Sequence, residues 1–588
     1  MRVIHDFFPK NETVVRLLII ARKNMPCYKR GRTVSPLMTD LRECAEAPSF
    51  HDQRWEELTV GLAARYSQVD PEERDKTNVN TVIISDIHIG SNYKTCWYQQ
   101  SVHEPYMLAL LDYILQNANN GSDSIDRLII LGDLFDFWTY PPAMVPPTIT
   151  AILAANPALF GRNGKLVQVV NALKGNVFYL HGNHDITLTQ DDLNLISNGQ
   201  YHIQLLPDVY PDDSGILFTH GHLGTMFNAP DPRYPGQVPV GHFVTRAIAY
   251  MLDQTLQPGQ TAADLPDQGS PYGPSLSSLI PGLEQYLTDP SVTSVLLELI
   301  SKTCGLDEFQ PIKMADGEQT TMDAAKAKYD GLWTQWVKDN GGGVVGEIIA
   351  GKAAVADFKG AFMAWFAQKF AFEKNSRGAV LGHTHVPKEG IAQSFCQYIN
   401  SGFECPSVPD IAAGNTHWNF TQVGSDGTMR LWQVAQVNGS YHIQPADAPA
   451  DQLVYSPFMD YSAYVKITNN GSSDLVMQNS EAQDGFFVVP PPAKIPAGTT
   501  AEIWIQDLPG VSGSGGSVTY EQVNGGGSLP FTFGCPTGWS SNYATGGAAF
   551  MATSENPPQP SSPCNTVPHW GHPLFVEFFT ALDGSPCE

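Results

Sequence analysis

Five short apolar runs, each ending on a cluster of polar side chains, constrain this chain more than anything else in it. They are TVIIS before Asp86, LIIL before Gly132-Asp133, VFYL before His181, ILFT before His220 and AVL before Gly382-His383. Each has the length of a buried strand. Between the first two lies EPYMLALLDYILQNAN, with Met107, Leu108, Leu111, Ile114 and Leu115 at helical spacing. Strands alternating with helices predict a layered α/β domain, and polar groups just past strand ends are where such domains place their sites.

Written out, the clusters are Asp86-Ile-His88, Gly132-Asp133-Leu-Phe-Asp136, Gly182-Asn183-His184-Asp185, His220-Gly-His222 and Gly382-His383-Thr-His385. They offer carboxylates, an amide oxygen and several imidazoles, with no cysteine. That donor set suits divalent Mn, Fe or Zn. Seven such donors are too many for one ion and about right for two that share a carboxylate and are completed by water. Two ions ~3.5–4 Å apart are a standard device for hydrolysing phosphate esters. Taken singly, a histidine at a strand end is more often structural, a Gly-Asp is usually a turn, and Gly-Asn-His-Asp could be a helix N-cap. Five clusters in order, each after a strand-like run, leave those readings little room.

The order D-x-H, G-D-x-x-D, G-N-H-D, H, G-H-x-H resembles the calcineurin-like metallophosphoesterases and is complete across residues 81–435. The resemblance implies a four-layer α/β/β/α sandwich over about 79–450. It also implies that Asp86, His88, Asp133 and His385 hold one metal. Asp133 then bridges to a second metal held by Asn183, His220 and His383. His184 is expected near the phosphate as a proton donor or charge stabiliser, with Asp185 orienting it and Asp136 as a supporting carboxylate. LGDLFDFW, THGH and YINSGFECPS are similar to the branch containing the UDP-2,3-diacylglucosamine pyrophosphatases. Two departures separate this chain from that branch: His184 stands where it has Arg, and His222 where it has Asp. The lipid-nucleotide substrate is therefore not carried over, and His222 is open as a site residue or a core histidine.

Between His222 and His383 lie 160 residues, with helical stretches SVTSVLLELISK and GAFMAWFAQKFAF and a Gly/Pro/Ser-rich loop near 257–282. A structureless loop of that length is improbable, so 223–380 reads as an inserted lid. After about residue 450 the texture changes again. Residues 452–588 hold two Lys, no Arg and eleven Asp or Glu, and AYVKITNN, AEIWIQD and GSVTYEQV alternate apolar and polar positions. This predicts an all-β sandwich. VKITNN, I-P-A-G-T and GSGGSVTY resemble the aegerolysins, small acidic lipid-binding sandwiches; the resemblance implies membrane-lipid recognition through exposed aromatics such as Trp504, Trp539 and Trp570, and the alternative is a generic sandwich that only packs on the catalytic domain.

Residues 1–78 mix charges without a strong period and read as a partly disordered arm, with Leu17–Ile20 as one buried turn. The N-terminus is a poor signal peptide and no apolar run reaches the ~20 residues of a membrane span, so the expected location leans cytoplasmic. Nine cysteines are too scattered for a disulfide framework, although Cys535, Cys564 and Cys587 could supply one bridge. A net charge of −25 disfavours bulk nucleic-acid binding. The expected protein is a phosphatase or phosphodiesterase acting on a phosphorylated small molecule or lipid. Its two divalent ions would serve in-line attack by metal-bound hydroxide. The rivals are a lipid-binding or pore-forming protein with a vestigial core and a purely structural metal scaffold.

Overall fold

The computed structural model describes residues 79–118, 124–197, 200–233, 238–264, 289–356, 360–389, 391–392, 397–402, 418–446, 451–452, 460–508, 513–523, 527–537, 540–554 and 565–581. The expectations placed on residues 1–78, on most of the 257–282 loop, on Cys564, Cys587 and Trp539, and on YINSGFECPS past Gly402 lie outside them.

All five apolar runs are strands: β1 (Thr81–Ile84), β2 (Arg127–Leu131), β3 (Val177–Leu180), β4 (Ile216–Phe218) and β5 (Gly378–Leu381). They read as unbroken apolar runs because both of their faces are covered, as in parallel sheets generally. β1, β2 and β3 pair in parallel, with Thr81 beside Arg127 and Leu128 beside Val177. They lie in a seven-stranded sheet whose far side continues antiparallel from β1 through Trp418–Val423 and Met429–Val437. β4 and β5 pair in parallel in a second, five-stranded sheet, extended by the parallel strand Gln397–Asn400.

Because successive side chains point to opposite faces, each strand feeds two cores. Ile83, Ile129, Leu131 and Leu180 of the first sheet share a cluster with Phe218, Val380 and Ile399 of the second. Val82, Ile84, Leu128 and Ile130 pack the other way, against α1 (Gln100–Asn117) and α2 (Lys165–Ala172). Each such fully buried aliphatic side chain contributes about 1.5–3 kcal/mol relative to exposure. α1 buries His103, Met107, Leu110, Leu111 and Ile114; of the ridge read from its spacing, Met107, Leu111 and Ile114 are buried and Leu108 and Leu115 are half-buried.

The segment between the late histidine motifs forms helices α3 (Val240–Thr255), α4 (Val292–Cys304), α5 (Gly343–Ala356) and α6 (Gly360–Glu373). They pack with Leu217, Ala379 and Leu381 of the second sheet in one large cluster. Arg246 of α3 is fully buried and donates to the carbonyls of Met144 at 2.7 Å and Lys313 at 3.0 Å, tying the insertion to the loop that follows β2.

Residues 460–581 form two five-stranded sheets. Val465, Ile467, Ile503, Ile505 and Val576 of one face Val518, Tyr520, Phe531 and Phe533 of the other. The expected β-sandwich is present, but it is not a free-standing appendage. Its outer face presents Tyr464, Trp504 and Phe575 to the inserted helices, in the same cluster as Trp365 and Phe372. Trp365 Nε1 donates to Gln506 Oε1 at 2.9 Å, and Gln368 Nε2 donates to the Tyr464 hydroxyl at 2.8 Å. Trp504, expected at the surface, is 0% exposed, because period-two alternation turns it away from Ile503 and Ile505 and onto α6. Trp570 is 52% exposed. No helix among the described residues is long and apolar enough to cross a membrane.

Candidate metal centre

Every expected ligand follows the C-terminal end of one of the five parallel strands, so the two sheets aim their polar ends at one place. Asp86, His88, Asp133, His383 and His385 all have φ between 51° and 73°. Five of the ten non-glycine residues at positive φ among the described residues are therefore in this site. L-residues adopt that conformation at a cost of about 1–3 kcal/mol each, and such strain concentrates at functional sites. The glycines of the motifs serve close packing. A Cβ on Gly182 would overlap Asp133 Oδ1, and one on Gly382 would overlap Asp86 Oδ2.

The donor atoms converge in two groups. In the first, His88 Nε2 lies 3.1 Å from His385 Nε2, which lies 3.6 Å from Asp86 Oδ1. In the second, His220 Nε2 lies 3.1 Å from Asn183 Oδ1, which lies 3.0 Å from His383 Nδ1. Asp133 Oδ2 stands between the groups, 3.8 Å from His88 Nε2 and 3.2 Å from His220 Nε2. The other oxygen, Oδ1, accepts the His184 backbone N–H at 2.8 Å, which fixes the carboxylate's orientation. Asp86/His88/His385 and Asp86/Asp133/His220 each bring three ligand atoms within 4.8 Å of one another. Asn183, an amide, completes the second group with His383.

These residues fit a pair of divalent cations. Asp86 Oδ2 and Asp133 Oδ2 are buried without a hydrogen-bond partner among the described residues. Buried carboxylates without a partner are costly, and a cation removes the cost. Among the described residues, histidines are the ion-pair partners of both. The electrostatics agree. Burial pushes the Asp133 carboxyl up, but His220, His184 and His88 outweigh it and hold the group well below the usual range. Burial lowers His220, yet Asp133 raises it to about 9, whereas burial and then His88 push His385 well down. The candidate ligand histidines are steadied from behind: His220 Nδ1 meets the Leu131 carbonyl at 2.8 Å and His88 Nδ1 meets Asp136 Oδ2 at 3.1 Å.

His184 sits at the edge of this cluster, its ring stacked on Trp138 at 4.2 Å and 4.5 Å from the His88 ring. The carboxylate beside its Nδ1 is that of Asp136, at 3.2 Å. The expected orienting role of Asp185 is therefore corrected. Asp185 Oδ1 accepts Gly182 N–H at 2.8 Å and Oδ2 meets the Tyr179 hydroxyl, which holds the turn after β3. Burial and the charge of Asp133 raise Asp185 to about 6. Asp136 serves both histidines and also accepts the backbone N–H of Trp138 at 2.7 Å. His222 is buried with its ring 5.4 Å from the His220 ring, and neither ring nitrogen has a partner among the described residues. It lies beside the second group and outside the ligand trios. Sequence reasoning missed Trp97 and Trp138, which wall the histidines, and Thr225 and Asn228 of the insertion. Trp138 ends the LGDLFDFW segment, but the other three carry no motif signal.

A family profile described as calcineurin-like phosphoesterase matches residues 79–244. Over that segment, less than a third of its length, the chain is thus similar to the calcineurin-like phosphoesterases, and candidate metal-binding His/Asp groups lie at its strand ends. The matched segment holds the Asp86 to His222 clusters, while β5 carries His383 and His385 into the same place from beyond it. Among solved structures, a dimetal phosphatase from Danio rerio is 12% identical, covering 59% of this chain and 95% of its own, with a TM-score of 0.23. The lipid-binding protein Nakanori is 10% identical, covering 20% of this chain and 69% of its own, with a TM-score of 0.16. No curated protein matches the chain.

Proposed function

We propose that the protein is a binuclear metal-dependent phosphoesterase whose core is the four-layer α/β/β/α sandwich, with Asp133 as the shared ligand. The observation that carries this reading is Asp133 Oδ2, buried, without a hydrogen-bond partner among the described residues and lying between His88 Nε2 and His220 Nε2. One ion would be held by Asp86, His88, Asp133 and His385, the other by Asp133, Asn183, His220 and His383. Two divalent ions, Mn, Fe or Zn, would supply charge to hold the phosphate and lower the pKa of the attacking water.

The chain's own residues do the rest. The Asp136 carboxylate lies 3.2 Å from Nδ1 of His184 as an ion-pair partner, and Nε2 would give a proton to the leaving oxygen. Trp138 fixes the plane of that ring and, with Trp97, keeps bulk water from its faces. Asp133 and Asp86 keep their orientation through the backbone N–H groups of His184 and His383, both at 2.8 Å. Nothing in this arrangement requires a covalent enzyme intermediate.

The substrate class is a phosphorylated small molecule or lipid, as monoester, diester or pyrophosphate. The deciding assay sets phosphomonoesters, cyclic and linear diesters, nucleotide sugars and phospholipids against added Mn, Zn and Mg. Hydrolysis that vanishes on chelation and returns with one of these metals supports the reading, and metal-independent turnover contradicts it. For the C-terminal sandwich, the exposed Trp570 favours a lipid contact independent of bulk charge, since interfacial rings suit the headgroup zone.

A further inference from the structure

An amide ligand has two chemically opposite ends, and only its oxygen can hold a cation. Asn183 turns Oδ1 toward His220 and His383, so its NH2 group points away from the site and needs an acceptor there. That acceptor comes from outside the motif set: Asn183 Nδ2 donates to Asn228 Oδ1 at 3.2 Å. Three residues earlier, Thr225 Oγ1 donates to the His222 carbonyl at 2.9 Å and lies 3.4 Å from His383 Nε2. Its remaining lone pair can take the Nε2–H of a neutral His383, which leaves Nδ1 bare toward Asn183 and the candidate ion. A flipped amide or the other imidazole tautomer would instead aim an N–H at the cation.

The segment carrying these two side chains is held by the inserted helices. Met226 N–H donates to the Ala353 carbonyl of α5 at 3.1 Å, and Gly241 N–H of α3 donates to the Phe227 carbonyl at 2.7 Å. Any Cβ on Gly241 would overlap Asn228 Oδ1. Glycine at 241 is thus what lets the helix start press against Asn228 without displacing it.

We propose that Asn228 is a positioning residue that fixes the amide orientation of Asn183, so that the inserted region sets the affinity of the second metal position. This rests on the two-metal reading above. Outer partners of metal ligands are typically worth ~10–100-fold in affinity. The test is calorimetric titration of Mn²⁺ into the metal-stripped full-length protein. The wild type is expected to take up two ions. Asn228→Ala should keep one at wild-type affinity and weaken the other ~10–100-fold. Asn228→Asp, which keeps the acceptor, should restore the second ion to within about threefold. In excess Mn²⁺ the alanine variant should regain its kcat with KM unchanged. Gly241→Ala, which leaves Asn228 in the chain, should reproduce the selective loss, and it carries the test if Asn228→Ala does not fold. Wild-type affinity for both ions in Asn228→Ala, or an equal loss in Asn228→Asp, would overturn the proposal while leaving the phosphoesterase reading intact. Fewer than two ions in the wild type would instead overturn the two-metal reading itself.

Discussion

Asp133 uses its two oxygens differently, one fixed by the His184 backbone and the other left bare between two histidine groups. Asp133→Asn should therefore cost more than the loss of an outer partner, which is ~10–100-fold, and should lower metal content together with turnover. Metal analysis of the purified variant beside a hydrolysis assay checks this. The neighbouring carboxylates separate cleanly. Asp136→Asn should weaken metal uptake through His88 and proton donation through His184, because it contacts both rings. Asp185→Asn should chiefly lower the melting temperature, because its partners are Gly182, Tyr179 and the backbone N–H of Phe135. For His184→Ala, loss of a general acid costs ~10²–10⁴-fold on alkyl phosphates and far less on p-nitrophenyl esters, whose leaving group departs without a proton. An equal loss on both would assign His184 to charge stabilisation. The candidate ligands were legible because a polar cluster after a strand-like run recurs five times. That Asp136 rather than Asp185 lies beside His184 was not, since adjacency in sequence says nothing about which way a side chain leaves a turn.

The strands were legible at the scale of elements because parallel strands covered on both faces must be apolar throughout. α5 shows the limit of the same signal: Ile349, Ala350, Ala353, Ala354, Val355 and Ala356 are all buried, so its sequence marks a buried element without marking its neighbours. α1 supplies a pH test away from the candidate metal centre. His103 is buried, its Nδ1 accepts the Gln99 N–H at 2.7 Å, and burial lowers its pKa to about 4. A histidine whose folded pKa is depressed stabilises fully above its unfolded value of 6.5, and that stability is lost as pH falls toward 4. The loss should reach about 3 kcal/mol at about pH 4, since each pKa unit is worth about 1.4 kcal/mol. Denaturant titrations at pH 7 and pH 4.5 should show a smaller difference for His103→Gln than for the wild type.

The whole molecule departs most from what composition suggested. The shift near residue 450 marks a real sandwich, yet Tyr464, Trp504 and Phe575 belong to the core of the inserted helices. α6 in turn packs on the metal-side turn, where a Cβ on Gly224 would press into Phe366 and one on Gly221 would lie 3.4 Å from Met363 Sδ. A chain ending near residue 450 should therefore expose Trp365 and Phe372 and lose solubility or metal uptake, rather than behave as an independent enzyme. Trp504→Ala tests the joint without truncation. Loss of a buried Trp costs about 3–5 kcal/mol, which thermal melts would register. Alternation along the strand Thr500–Gln506 showed that one face was apolar, but only the fold shows that the other face is covered too. The most direct test of the central claim is metal stoichiometry measured beside hydrolysis in one titration of the stripped full-length protein. Two ions per chain are expected, with p-nitrophenyl ester hydrolysis appearing as the second binds and neither result surviving in Asp133→Asn. Hydrolysis by metal-free protein, or two ions bound at full strength by Asp133→Asn, would contradict the account.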